Sequence, residues 1–340
     1  MTKKNNQAIG RQSISFSNGP YIHAYSSIVG KKEGEGPLSK YFTKIVEDDF
    51  FGCNTWEEAE SALQAETVKL LLNRSGVSAT DIRYVFAGDL LGQLMATSFG
   101  LADYNIPLFG IYGACSTMGE ALSLGSMTVA AGYADRVLTL ASSHYASAEK
   151  TFRFPLGYGS QRKFCATWTV TGCGAILLDS ASGLARITGI TTGRITDYGL
   201  KEKDNMGACM APAAADTIYN HLSDFDRAPD YYDKIITGDL GYVGQSILID
   251  ILKAKGYDIS NNHMDCGIEI FDMDYQATNA GGSGCGCSAS TLCGYILSNI
   301  EKRTWKRVLF IPTGALLSPI SANEGNSIPA IAHAVVIEAV

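Results

Sequence analysis

Apolar positions along the chain fall into two rhythms, short unbroken apolar runs and longer stretches with helical spacing. Ile14 to Phe16 and Tyr21 to Ile28 read as extended segments,. The charged stretch from Gly30 to Gly36 that follows predicts a mobile loop. Thr55-Trp56-Glu57-Glu58 carries the Thr-x-x-Glu pattern, in which hydroxyl and carboxylate satisfy the first free amides of a helix, and Gly76 supplies its stop,. The spacing predicts a helix over 56–74. A short buried strand is expected at Tyr84 to Ala87 and another at Leu108 to Tyr112,. An apolar helix from Ser116 to Gly132 then leads into a strand from Arg136 to Ala141,.

The pattern repeats. Gly88-Asp89-Leu90 recurs as Gly238-Asp239-Leu240, each just after a short apolar strand,. Cys115-Ser116 opens a helix followed by Arg136-Val137-Leu138-Thr139-Leu140, and Cys287-Ser288 opens one followed by Arg307-Val308-Leu309-Phe310-Ile311, at nearly the same offset. Gly174-Ala175-Ile176-Leu177-Leu178-Asp179 is matched by His333-Ala334-Val335-Val336-Ile337-Glu338, two apolar strands that each end in an acid. Four matches in one order indicate duplication, with a loose polar start over 1–12, a first half over 13–182 and a second over 183–340. Continuous apolar strands alternating with buried helices imply sheets covered on both faces, and two such halves pack helix against helix. The site is expected between them.

Composition narrows the function classes. With 340 residues, 46% hydrophobic and 18% charged, the chain is a well-buried globular one,. A net charge of -7 without a long basic run gives no electrostatic support for a nucleic-acid partner,. Nine cysteines scattered through apolar surroundings argue for a reducing compartment without structural disulfides,. The polar residues Met1 to Gln7 lead into no apolar stretch, so the expectation is an intracellular protein without a secretory signal,. Ala121 to Ala134 and Val308 to Asn323 are uncharged but too short or too interrupted to span a bilayer, so any membrane association runs through a partner or a surface,.

Gly113-Ala114-Cys115-Ser116-Thr117 sets a cysteine on a tight turn feeding a long helix. Free amides and the helix dipole there stabilise negative charge, which lowers a thiol pKa and equally makes an anion pocket. Cys115 also reads as a small buried residue. His144, after the strand Arg136 to Ala141, and His333, in the final strand, are candidate ligand or base residues, although a lone histidine in an apolar element is commonly a hydrogen-bonded core residue. His23, His221 and His263 carry weaker cases. Asp239 could orient a donor in the pocket, while its twin Asp89 favours two structural acids capping loops. Cys285-x-Cys287, with Cys266 and Cys293 elsewhere, lacks the paired spacing of a zinc site, so no metal is assigned,. The run Gly281-Gly282-Ser283-Gly284-Cys285-Gly286 lacks a phosphate-loop fingerprint and reads as close backbone packing,. Between Phe152 and Thr167 lies the richest cationic and aromatic segment, which reads as either an anion-binding loop or a subunit-interface loop.

Gly113-Ala114-Cys115 with its helix, the strand Val137 to Ala141, the entry Thr171-Gly172-Cys173-Gly174-Ala175 and the duplicated layout resemble the thiolase superfamily. The resemblance covers essentially the whole chain and implies an α/β fold of five αβαβα layers, with two duplicated βαβαβαββ halves. Phe152-Arg153-Phe154-Pro155, Ala166-Thr167-Trp168-Thr169-Val170-Thr171-Gly172 and Ile331-Ala332-His333-Ala334-Val335 more narrowly resemble the stage V sporulation protein AD family of spore-forming Firmicutes. That resemblance implies binding of dipicolinic acid, its uptake into the developing spore and its release at germination.

A condensing enzyme of the superfamily sets two imidazole or amide groups opposite its cysteine. Here those positions hold Thr237-Gly238-Asp239 and Gly284-Cys285-Gly286-Cys287. Without a base for the thiol or a donor for the carbonyl oxygen, acyl transfer is expected to be slow or absent. The implied ligand site draws on the ancestral nucleophile Cys115, His144, Asp239, Cys285 and His333, with Arg153 and Arg162 pairing with a planar aromatic dianion. No cofactor is expected, calcium entering only as part of the ligand. The implied partners are dipicolinic acid, other stage V sporulation A proteins of a membrane channel and a second copy of the chain, with a peripheral location on the cytosolic side of the spore inner membrane. The competing readings are a working acyltransferase using Cys115 with His144 or His333 as base, and a scaffold whose pocket is a remnant.

Overall fold

The computed structural model describes residues 7–152 and 162–340. In the first half, β1 (Tyr21–Gly30), β2 (Tyr84–Gly88), β3 (Leu108–Gly110), β4 (Arg136–Ser143) and β5 (Gly172–Asp179) form one sheet. In the second, β6 (Ala185–Thr191), β7 (Lys234–Thr237), β8 (His263–Asp265), β9 (Arg307–Ile311) and β10 (Ala334–Ala339) form a second, hydrogen-bonded to the first along one edge. Hydrogen-bonded neighbours run β3-β2-β4-β5-β1 and continue β6-β10-β9-β7-β8. Each strand of the second half thus takes the place of its counterpart in the first. Both halves pair their outer three strands in parallel and the rest antiparallel, and β1 joins β6 through Tyr21 and Ile22.

The duplicated sequence has a direct physical reading in this register. Arg136 on β4 faces Asp179 on β5, with Nε donating to Oδ2 at 2.8 Å, and Arg307 on β9 faces Glu338 on β10. Each half therefore sets a basic residue opening one strand against an acid closing its antiparallel neighbour.

The main helices that position the rest are α1 (Trp56–Ser75), α2 (Met95–Leu101), α3 (Thr117–Ala130), α4 (Tyr145–Phe152), α5 (Met206–Asp224), α6 (Gly241–Ala254) and α7. The last runs as Cys285–Thr291, a π-helical stretch Leu292–Ile296 and Leu297–Glu301. The expected cap of α1 forms as read, with Thr55 and Glu58 reciprocally bonded and Gly76 left-handed. Alternate residues of each strand feed different cores, because side chains on a strand point to opposite faces. On β5, Leu177 joins Leu63 and Leu71 of α1, while Ile176 and Leu178 join Met118 and Leu122 of α3. On β9, Leu309 joins Ile218 and Leu248 of α5 and α6, while Phe310 faces the middle. The three cores separate five layers: α1 and α2, a sheet, α3 with α7, a sheet, and α5 with α6. At Gly174 a Cβ would sit 2.1 Å from the Ala289 carbonyl oxygen, so the close approach of α7 to β5 requires glycine.

Three expectations change. Gly30 to Gly36, expected as a mobile loop, contains the helical turn Lys31–Gly34, which buries Glu33 so that Oε1 accepts from the Thr171 amide at 3.0 Å. β3, expected to be buried, is an edge strand paired only with β2, and Leu108 and Phe109 are 40% and 51% exposed. The polar start contributes strand Ala8–Ile9, paired with Ser13–Ser15, which in turn pairs with β6 of the second half.

Burial pushes the Glu33 carboxyl from 4.5 up to about 7. Between those values the folded chain holds a proton that the unfolded chain has released, so this group's contribution to stability falls as pH rises through the window. We expect Glu33→Gln to remove that component. Its melting temperature, relative to the parent, should be higher at pH 8 than at pH 5, and an equal offset at both pH values would contradict the assignment.

Candidate functional site

Cys115 is delivered by the turn after β3. Ala114 takes a left-handed conformation with φ 50°, Ser116 Oγ donates to the Gly113 carbonyl at 2.6 Å, and Thr117 Oγ1 donates to that of Ala114 at 2.7 Å. The second half closes on this turn at Gly314, where a Cβ would lie 2.2 Å from the Gly113 oxygen. These contacts hold the thiol at the start of α3, with 7% of the residue exposed.

The helix start was expected to lower the pKa of this thiol, and the opposite holds. Burial and the negative charge of the nearby Asp239 carboxylate push it well above its ordinary value, against a smaller lowering influence from the Gly284 amide and Ser283. Asp239 is fixed from several sides. It accepts from Thr313 Oγ1 at 2.7 Å, Ser283 Oγ at 2.8 Å and the Gly284 amide at 3.1 Å. Burial raises its own pKa, and these donors together with Cys115 oppose that rise. Over the thiol opens a narrow pocket of about 60 Å³, walled by Leu90, Tyr112, Phe152, Met206, Leu317 and Pro319, with Thr169 and Ser283 as further polar points.

Of the other candidates, Cys285 lies near this centre but is sealed, its thiol donating to the Ser142 carbonyl at 2.8 Å. Cys287 likewise donates to the Gly238 carbonyl at 3.5 Å. His144 faces away from the pocket. Its Nδ1 accepts from the Ala146 amide at 3.2 Å, which leaves Nε2 to donate to the Asp49 carbonyl at 2.8 Å, and burial lowers its pKa. His333 accepts from the Gly193 amide at 3.2 Å, and burial brings it down to about 4, so it is neutral near pH 7. Neither lines the pocket. His221 bonds Thr191 and Tyr232, His263 bonds Thr237 and Gln245, and His23 meets the Ser182 carbonyl. Arg162 lies 3.5 Å from Glu149 and 4.7 Å over the Trp168 ring. Glu149 in turn accepts from the Thr169 amide and hydroxyl, so Arg162 stands behind the pocket wall. Arg153 lies outside the described residues.

The twin acids differ in use. Asp89 caps its own loop, accepting from the Leu91 amide and from the amide and hydroxyl of Thr97, whereas Asp239 serves the cysteine. Sequence reasoning passed over Ser283 and Thr313, and also Glu60, a fully buried acid on α1 that accepts from Ser142 Oγ and Ser147 Oγ. Its signal was a polar stripe, Glu60, Gln64 and Thr67, at helical spacing on the same side as Leu63 and Leu71,. Burial and the nearby Asp89 push the Glu60 carboxyl upward. Among the described residues, no group of three or more His, Cys, Asp and Glu side chains is placed to hold a metal ion.

The family profile of stage V sporulation protein AD matches residues 10–338. The stage V sporulation protein AD of Bacillus subtilis (strain 168) is 40% identical over 329 residues, covering 97% of either chain. The chain belongs to the stage V sporulation protein AD family. Solved structures similar to this family member include 3-oxoacyl-[acyl-carrier-protein] synthase III from Aquifex aeolicus VF5, with TM-score 0.56 and 12% identity over 94% of this chain and 100% of that one. A variant of OleA from Xanthomonas campestris matches with TM-score 0.55 and 12% identity over 97% and 99%. At such identities the likeness shows the thiolase-like fold alone.

In this sporulation protein burial and the Asp239 carboxylate disfavour the thiolate of Cys115, and alkylation requires the thiolate,. Iodoacetamide at pH 7.5 should therefore modify Cys115 at least about tenfold more slowly than a free cysteine, read by peptide mass mapping. Modification at the free rate would show that the thiolate is not disfavoured there.

Proposed function

We propose that this protein binds dipicolinic acid in the pocket over Cys115 and does not carry out acyl transfer. The observation that carries this reading is the occupant of the space opposite the cysteine, a buried Asp239 whose carboxylate raises the thiol pKa and is itself held by Thr313, Ser283 and Gly284. Thiolase-type chemistry needs a base that takes the thiol proton and donors for the carbonyl oxygen, each worth orders of magnitude in rate. An acceptor that pushes the thiol pKa up works against the first requirement. All five histidines are engaged with partners away from the pocket.

A narrow, mostly apolar slot suits a flat ring, and the start of α3 favours a carboxylate. A buried acid beside it opposes a bare dianion, so the calcium chelate, in which the metal cancels the ligand charge, is the better fit. The acyltransferase reading retains one point in its favour, a cysteine at a helix start in a fold shared with condensing enzymes. Membership of the sporulation family supports a role beside the other stage V sporulation A proteins at the spore inner membrane. No helix among the described residues is long and apolar enough to cross a membrane, so attachment there would run through a surface or a partner. Edge strand β3, with Leu108 and Phe109 exposed, supports pairing with a second copy,.

Calorimetric titration tests the ligand. Dipicolinate should bind saturably, more tightly with calcium, and Cys115→Phe should weaken it at least about tenfold by filling the slot while Cys115→Ser retains binding. Absence of saturable heat at millimolar ligand, with and without calcium, would remove the reading. For assembly, Leu108→Lys with Phe109→Glu should convert a dimer to a monomer in light scattering. A monomeric parent, or a dimer that survives both changes, would exclude the β3 interface.

A further inference from the structure

A second cleft, sharing no residue with the Cys115 pocket, is built where four segments meet. Tyr25 of β1 and Phe42 form its floor, Lys40 and Thr43 flank them, Arg74 comes from the last turn of α1, and Lys302 follows α7. It encloses about 480 Å³. Its charge sets it apart in a chain of net charge -7, because its lining includes three cations and no acid.

Among the described residues none of the three cations makes an ion pair; Arg74 Nη1 donates to Thr43 Oγ1 at 3.1 Å, and its guanidinium lies 5.6 Å over the Tyr25 ring. The Lys40 and Lys302 ammonium groups lie 5.2 and 5.6 Å from one shared ring, Tyr41. The acid nearest in sequence, Glu301, accepts from Tyr25 Oη at 2.8 Å. Gathering like charges costs free energy that a bound anion offsets. The backbone is shaped for the cleft as well. The π-helical stretch Leu292–Ile296 widens α7 beside it, and such bulges are frequent at functional sites,. Gly294 within that stretch lets the 41–42 segment pack close, since a Cβ there would lie 3.1 Å from Phe42 and 3.3 Å from the Tyr41 oxygen.

We propose that this cleft binds a phosphate-bearing anion. Cations arriving from three separate segments suit a tetrahedral group that accepts hydrogen bonds from several directions. The shared Tyr41 ring already carries two ammonium groups, so recognition runs through charge and not through stacking of an aromatic ligand. The phosphate can belong to a soluble molecule or to a lipid headgroup, and the proposal stands independently of any ligand over Cys115.

The test uses the full chain at low salt, with inorganic pyrophosphate followed by calorimetry and with phosphatidylglycerol vesicles, against phosphatidylcholine vesicles, followed by flotation. Saturable binding of either phosphate probe, at least about tenfold weaker in Lys40→Gln with Lys302→Gln and restored in Lys40→Arg with Lys302→Arg, is the expected result. Melting curves of both double variants should match the parent, and dipicolinate titration should be unchanged in them. Pyrophosphate binding alone identifies a soluble ligand, and vesicle binding alone identifies a headgroup. Binding of neither, or equal binding by the Gln variant, overturns the proposal.

Discussion

One buried carboxylate organises the centre of this molecule. Asp239 receives hydrogen bonds from Ser283 and Gly284 ahead of α7 and from Thr313 beyond β9, and its carboxylate lies near Cys115, which the first half supplies. Removing an acid from water is costly unless its lone pairs are satisfied, and here Ser283, Gly284 and Thr313 of the second half satisfy them,. The same carboxylate, near the cysteine of the first half, disfavours its thiolate.

Duplication explains why such an acid is available, and asymmetry explains its use. β2 and β7 occupy equivalent places, and each is followed by Gly-Asp-Leu. In the first half the aspartate turns to its own loop through Leu91 and Thr97, whereas in the second it is held by Ser283, Gly284 and Thr313 near Cys115. Behind it lies a further polar layer, in which Gln64 donates to Thr97 and Ser142 and Ser142 donates to Glu60. A connected buried network of this kind rigidifies its surroundings, which favours a preformed pocket over one assembled by ligand.

Much of the architecture was legible in the residues. Paired Arg and acid positions, the Gly-Asp-Leu repeat and the Thr55 capping box each correspond to a contact that the fold makes, because each depends on local chemistry or strand register. The edge position of β3 was not legible, since an apolar run is the same for an edge as for a central strand and only pairing distinguishes them. The site was legible in part. A cysteine at a helix start was visible, but the sign of its pKa shift depends on Asp239, which lies over a hundred positions away in sequence and meets it only through packing. His144 and His333 were plausible for the same reason that they fail to reach the pocket: an apolar strand brings a histidine inside without saying what it will face.

The central claim is that Cys115 places a ligand and does not react with one. Incubation of the full chain with acetyl-coenzyme A at pH 8, followed by intact-mass and peptide analysis, addresses it most directly. The account predicts no stoichiometric acyl adduct at Cys115, because burial and the Asp239 carboxylate disfavour the thiolate and no histidine lines the pocket. A rapid, stoichiometric adduct that disappears in Cys115→Ala would contradict it and establish the acyltransferase reading instead.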